Sequence, residues 1–247
     1  MITIAAVAGL PEIARGDDLA ALMLEAGAKP LGTDVVLVAH KAISKAEGRV
    51  RSLEEIDPSP RARELASAHG KDARHVQAIL DESTEILRAE RGVLIARTPH
   101  GFVCANAGVD ASNTAADGEL VLLPLDPDAS ARRLRARLHD LGGTAPAVVI
   151  TDSFGRAWRN GLTDVTIGCA GLLPLDDWRG RADAAGRPLH ATWIATADAL
   201  AAAGDLARGK DSGEPIVILS GLGHHVTSAD GPGAYALIRP SDEDLFR

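Results

Sequence analysis

The sequence predicts a mixed α+β fold: α/β in content, with a largely antiparallel sheet and two interwoven lobes. Three observations point that way. Short runs of β-branched and apolar residues recur, helical segments with recognisable ends lie among them, and some strands follow one another directly instead of alternating steadily with helices. With 247 residues, 46% of them apolar, the chain can bury a sizeable core without disulfides. No linker-like stretch divides it, so residues 1–247 read as one unit.

In chain order, ITIAAV (residues 2–7) is the first strand-like run, and DDLAALMLEAG (17–27) is a helix with an acidic start and a glycine stop. DVVLVA (34–39) is a second strand. SPRARELASAHG (59–70) offers Ser59 as N-cap, Pro60 at the first helical position and Gly70 beyond the end. KDARHVQAILDES (71–83) places Val76, Ile79 and Leu80 at helical spacing. Residues 85–103, including GVLIAR (92–97), read as paired strands around a TPHG turn. DPDASARRLRARLHDLGG (126–143) begins with aspartates, ends in paired glycines and carries Leu134 and Leu138 four apart. AVVIT (147–151), VTIGCA (165–170), HATWIAT (190–196) and PIVILS (215–220) complete the strands, and TADALAAAGDLARG (196–209) is a helix ending at Gly209.

Composition excludes several function classes. The two cysteines, Cys104 and Cys169, sit among small apolar residues and read as free buried thiols. The N-terminus has no basic, apolar leader, and no run approaches the roughly 20 apolar residues of a membrane span, so a cytoplasmic protein is expected. A net charge of -8 and 3% aromatic residues argue against a nucleic-acid surface, although a local basic cluster can still hold a phosphate.

Four polar islands stand out: GLPEIARGDD (9–18), HKAISKAEGRV (40–50), NAGVDASN (106–113) and TDSFGRAWRNG (151–161). Three of them follow a strand directly, where mixed folds present ligand-binding loops. Asp110, Asp152 and Ser153 are hard oxygen donors of the kind that suits Mg²⁺ or Mn²⁺, and no Cys/His spacing suggests zinc. Lys41, Lys45, Arg49, Arg156 and Arg159 can face phosphate or carboxylate oxygens. Asn106 and Asn113 can read donor and acceptor groups. The same residue types also serve turns, caps and solvated helix ends, so the types alone leave the ligand open. His224 and His225 read as surface loop residues, and the other histidines form no triad or ligand signature. No GxGxxG, Walker loop or GxSxG elbow is present.

Taken in order, GLPEI…GDDLA, ISKAEGRV, VQAILDES, VCANAGVDASN, LPLDPDASARRLR, VVITDSFGR, DWRGRADAAGRPL and GKDSGEP resemble the coenzyme F420-0:L-glutamate ligase family over essentially the full chain. The resemblance implies GTP-dependent addition of L-glutamate to coenzyme F420-0, with further γ-linked additions open, through an acyl phosphate. It implies Mg²⁺ or Mn²⁺, help from K⁺, and an intertwined homodimer. Position by position, Leu10, Pro11, Glu12 and Ile13 would line the nucleotide through backbone groups, and Lys45 would contact its phosphates with His40 or Lys41 nearby. Asp110, Asp152 and Ser153 would bind the metal ions, and Asn113 would contact GTP. Asp211, with Lys210, is a further metal or phosphate contact. Glu47 is one candidate for the general base. His40 and Lys41 stand where some relatives have small hydroxyl residues. No reductase-like second domain is expected. Alternatives are an amide ligase for another carboxylate, a metal-dependent phosphohydrolase and a nucleotide-binding regulator.

Overall fold

A computed structural model describes residues 1–112 and 116–244. The first half of the chain contributes β1 (Thr3–Ala6), α1 (Leu19–Glu25), β2 (Val35–Ala39), α2 (His40–Ala46), β3 (Val50–Ser52), α3 (Pro60–His69), α4 (Ala73–Asp81), β4 (Glu85–Glu90), β5 (Val93–Arg97), β6 (Val103–Ala105) and β7 (Glu119–Val121). The second half contributes α5 (Pro127–Gly142), β8 (Ala147–Arg156), β9 (Arg159–Ala170), β10 (Asp176–Asp177), β11 (Trp193–Ile194), α6 (Thr196–Asp205) and β12 (Ile216–Ser220). The α+β expectation holds. The main sheet runs β1-β12-β2-β8-β9, antiparallel throughout except for the parallel pair β2–β8.

Helix ends follow from local chemistry. Asp18, Ser59 and Asp126 accept backbone N–H groups at the starts of α1, α3 and α5, satisfying donors that have no partner inside the helix. Gly70 and Gly143 close α3 and α5 in the left-handed conformation, at φ 64° and 70°.

The central strands β2 and β12 and the first half of β8 are buried on both faces, which is why they read as continuous apolar runs rather than alternating ones. Val36, Val38, Val148 and Ile150 face Met23 of α1 and Leu134 and Leu138 of α5. Val35, Leu37, Val149 and Val217 face the other way, against Leu200 of α6. Each such side chain contributes about 1.5–3 kcal/mol on burial. A third apolar cluster forms from one stretch of chain between α2 and α5, joining Leu65, Val76 and Ile79 to Leu94 and Leu120. Cys104 and Cys169 are buried and unbridged, and burial pushes both thiols up to about 12. Among the described residues no helix is long and apolar enough to cross a membrane.

Several boundaries differ from the sequence reading. The second polar island is mostly helix, because α2 starts at the last residue of β2 without a side-chain cap. TPHG joins β5 to β6, while β4 and β5 meet at a tighter turn through Arg91 (φ 52°) and Gly92 (φ 79°). Of residues 190–196 only Trp193 and Ile194 pair, with Asp177 and Asp176, in a two-stranded ribbon whose apolar side chains stay exposed. The last helix stops at Asp205 rather than near Gly209, and the chain beyond it carries Arg208 to Asp164.

Gly168 of β9 lies against the start of α5, where an added Cβ would sit 2.5 Å from the Pro127 backbone. Backbone cannot swing aside as a side-chain tip can. Gly168→Ala should therefore lower the free energy of urea unfolding by about 1–3 kcal/mol. Gly155→Ala, with open space around the new methyl, should stay within about 0.5 kcal/mol of the parent.

Candidate functional site

The two parallel strands end side by side, and a cleft of about 780 Å³ opens there. Ala39 and His40 enter from β2 and α2, and Thr151, Asp152 and Ser153 from β8. Pro11, Glu12 and Ile13 come from the loop after β1, and residues 208–211 and 213–215 from the approach to β12. Asp110 and Ser112 reach in from the segment between α2 and α5. Pro11, Glu12, Ile13, His40, Lys41, Lys45, Asp110, Asp152, Ser153, Lys210 and Asp211, scattered through the chain, thus line one cavity.

The cavity holds both signs of charge, locally paired. Lys41 Nζ donates to Asp110 Oδ2 at 2.7 Å and to Ser112 Oγ at 2.7 Å. The Ser112 backbone N–H donates to Asp110 Oδ1 at 2.7 Å. Burial pushes the Asp110 carboxyl up, but the Lys41 ammonium and the Ser112 N–H outweigh it, and the group lies below the ordinary aspartate value. His40 is buried. Its Nε2 lies 3.3 Å from Asp152 Oδ1 but off the hydrogen-bond direction, so that nitrogen has no hydrogen-bond partner. Asp152 Oδ1 accepts the Ser153 N–H at 2.8 Å. Lys45 pairs with Glu12 across the entrance.

Behind this row lies Asp164, which the sequence reading missed. It is only 1% exposed and accepts from the Thr151 hydroxyl at 2.9 Å, the Ser153 hydroxyl at 2.6 Å, the Lys210 ammonium at 3.4 Å and the Arg208 guanidinium. Burial raises its pKa, and the Ser153 hydroxyl, Arg208 and Lys210 more than reverse that, leaving it lowered. Lys210 also donates to Ser153 Oγ at 2.6 Å and to Asp205 at 2.9 Å. Burial depresses the Lys210 ammonium, and its two carboxylate partners raise it past its ordinary value. The available signal was a charged residue inside the otherwise strand-like run LTDVTIG.

Other expected residues sit elsewhere. The Leu10 side chain packs against the first apolar cluster instead of lining the cleft. Asn113 lies outside the described residues. Arg49 holds Glu82 at 2.7 Å and the Leu123 carbonyl at 2.9 Å, and Arg156 holds main-chain oxygens at the β8–β9 turn. Glu47 accepts from Ser130 and Arg133, both at 2.6 Å, and does not line the cleft. His224 and His225 form a short turn with ring centroids 4.0 Å apart, also away from the cleft.

Among the described residues no three His, Cys, Asp or Glu side chains converge into an all-protein metal cage. Two carboxylates and a hydroxyl, from Asp110, Asp152 and Ser153, nevertheless suit an ion of the Mg²⁺ class. Such an ion keeps waters and takes substrate phosphates as its remaining ligands.

Asp164→Asn should leave the buried Arg208 guanidinium without a counter-charge. We expect a loss of about 3–5 kcal/mol in urea unfolding, with Ser153 and Lys210 released from their present positions.

A sequence model of the family described as F420-0:gamma-glutamyl ligase matches residues 9–221. The chain is similar to the coenzyme F420:L-glutamate ligase of Methanothermobacter thermautotrophicus, at 44% identity over 100% of this chain and 99% of that protein. It is 47% identical to the protein of the same name from Methanopyrus kandleri, over 94% of this chain and 92% of the other. Against that of Archaeoglobus fulgidus it is 44% identical, over 98% and 94%.

Proposed function

The chain belongs to the F420-0:gamma-glutamyl ligase family, and on that premise we propose that it joins L-glutamate to coenzyme F420-0 in an amide bond, with GTP activating the acceptor carboxylate. The observation that carries the finer part is the pairing of charges in one cleft. Lys41, Lys45, Arg208 and Lys210 line it together with the oxygen donors Asp110, Asp152 and Ser153. Phosphates need the cations, and a divalent ion needs the carboxylates.

A carboxylate resists attack by an amine because its own charge repels the nucleophile and oxide is a poor leaving group. In the proposed route a carboxylate oxygen of the acceptor attacks the γ-phosphorus, GDP departs, and an acyl phosphate remains. The glutamate nitrogen then bonds to the acyl carbon, loses a proton, and inorganic phosphate leaves. Mg²⁺ or Mn²⁺ held by Asp110, Asp152 and Ser153 would offset negative charge on the phosphates while it is bound. Lys45 and Lys210, tethered now to Glu12 and to Ser153 and Asp205, are placed to turn to phosphate oxygens. Pro11 and Ile13 supply apolar walls toward which nucleotide can pack. K⁺ activation and a homodimer belong to the same reading.

Mass spectrometry of F420-0 incubated with the protein, GTP, Mn²⁺ and L-glutamate tests it directly. A product heavier by one or more glutamyl units is expected, and none in the control without glutamate. GTP consumption with unchanged F420-0 would turn the reading toward hydrolysis or another acceptor, and no GTP consumption toward a binding protein. Asp110→Asn and Asp152→Asn should each abolish turnover while circular dichroism stays at the parent spectrum, because each removes one charged ligand without emptying the core. Parent-like turnover in either folded variant would remove that residue from the metal site.

A further inference from the structure

A second cavity of about 530 Å³ adjoins the cleft, and Asp110, Ser112, Asp152 and Ser153 line both. The two differ in charge. Four cationic side chains line the cleft, whereas no Lys or Arg is among the described residues lining the annex. Its polar lining consists of two carboxylates, two serines, Asn106 and His75. Two of these groups are unsatisfied: Asn106 Oδ1 and His75 Nε2 are both buried with no hydrogen-bond partner. An unpaired buried carbonyl oxygen is costly to keep, and a ligand N–H that reaches it removes the cost.

Asn106 is well held. It opens a turn in which Asn106, Ala107 and Gly108 all have positive φ, at 53°, 54° and 71°, and the Val109 N–H donates to the Asn106 carbonyl at 2.9 Å. Asparagine tolerates this backbone better than most residues, usually with its side chain bonded locally. Here no local bond occupies Oδ1, so the backbone alone does not account for the side chain.

We propose that the annex receives the amine end of the amino-acid substrate and that the Asn106 carboxamide accepts a hydrogen bond from it. The inference rests on the ligase reading. In that reaction the nitrogen must reach the carbon bonded to the transferred phosphate, so it has to arrive from a space bordering the phosphate cleft, and the annex borders it through Asp152 and Ser153. The polar groups that the annex does not share with the cleft are Asn106 and His75, and no Lys or Arg is among its described lining residues, so it offers acceptors to an amine and no cation to a phosphate or carboxylate. Phosphate meets its cations in the cleft, and the annex offers it none, so a phosphate group gains nothing by entering the amine's place.

Asn106→Gly is the discriminating variant, because glycine adopts φ near 53° without strain and the turn should persist while the acceptor is lost. Steady-state kinetics at saturating GTP and Mn²⁺ should show KM for L-glutamate raised about tenfold to a hundredfold, the equivalent of one hydrogen bond to a charged group. Calorimetric titration of L-glutamate into the protein with GDP and Mn²⁺ should weaken in parallel, and GDP affinity should stay within about twofold. An unchanged KM for glutamate in a folded variant overturns the proposal. So does an effect that appears instead in the activation constants for Mn²⁺ or K⁺, which would make the annex an inorganic-cation site. Absence of glutamylated product from the parent protein would sink the ligase reading itself, an outcome distinct from both.

Discussion

The parallel pairing of β2 with β8 is the constraint on which the rest of the molecule turns. Every other neighbour in the main sheet is antiparallel, so strand ends of opposite polarity alternate along its edge. At this one pair two carboxyl ends leave the sheet together. The chain then diverges, with β2 running straight into α2 and β8 continuing into a long hairpin with β9. His40 and Lys41 are thereby set beside Asp152 and Ser153, although more than a hundred residues of sequence separate them. A parallel pair needs a long crossover, and here the crossover is the segment that builds its own apolar cluster and returns Asp110 to the same cleft.

Three of the carboxylates in that cleft are paired with cations. Asp110 is answered by Lys41, Glu12 by Lys45, and Asp164 by Arg208 and Lys210. Carboxylates this close to one another would otherwise raise each other's pKa and repel the phosphates that the site is proposed to hold. The pairs differ in depth. Asp164 is enclosed and anchors Ser153 and Lys210 from behind, whereas the Lys210 side chain is itself largely exposed. A fixed inner carboxylate that holds an exposed ammonium at the rim keeps one cation available to an anionic ligand.

The sheet itself was legible in the sequence because its central strands are buried on both faces and show as unbroken apolar runs, and the capped helices were legible through Asp18, Ser59 and Gly70. The ribbon at Trp193 and Ile194 was overread, since its β-branched and aromatic residues find a two-residue partner and no core. The last helix was overextended to Gly209 because alanine and leucine continue past Asp205, while in the fold the helix ends there and Arg208 and Lys210 beyond it pair with Asp164 and Asp205.

Sequence by itself determined the residue types of the site, their order and the family pattern that joins them: Pro11 to Ile13, Lys41, Lys45, Asp110, Asp152 and Ser153 are all visible as polar islands among apolar runs. Local signals of that kind record what a residue is and which neighbours it has along the chain. Only the tertiary structure decided that Asp164 belongs to the site, that Leu10 and Glu47 do not line it, and that Asn106 borders a separate cavity without a partner for its oxygen. Those facts depend on distances across the fold and on which charges meet after packing. A partly buried leucine and an unpaired amide carry no mark in the sequence that separates them from a ligand contact and a cap, and Asp164 shows there only as a charge inside a strand-like run.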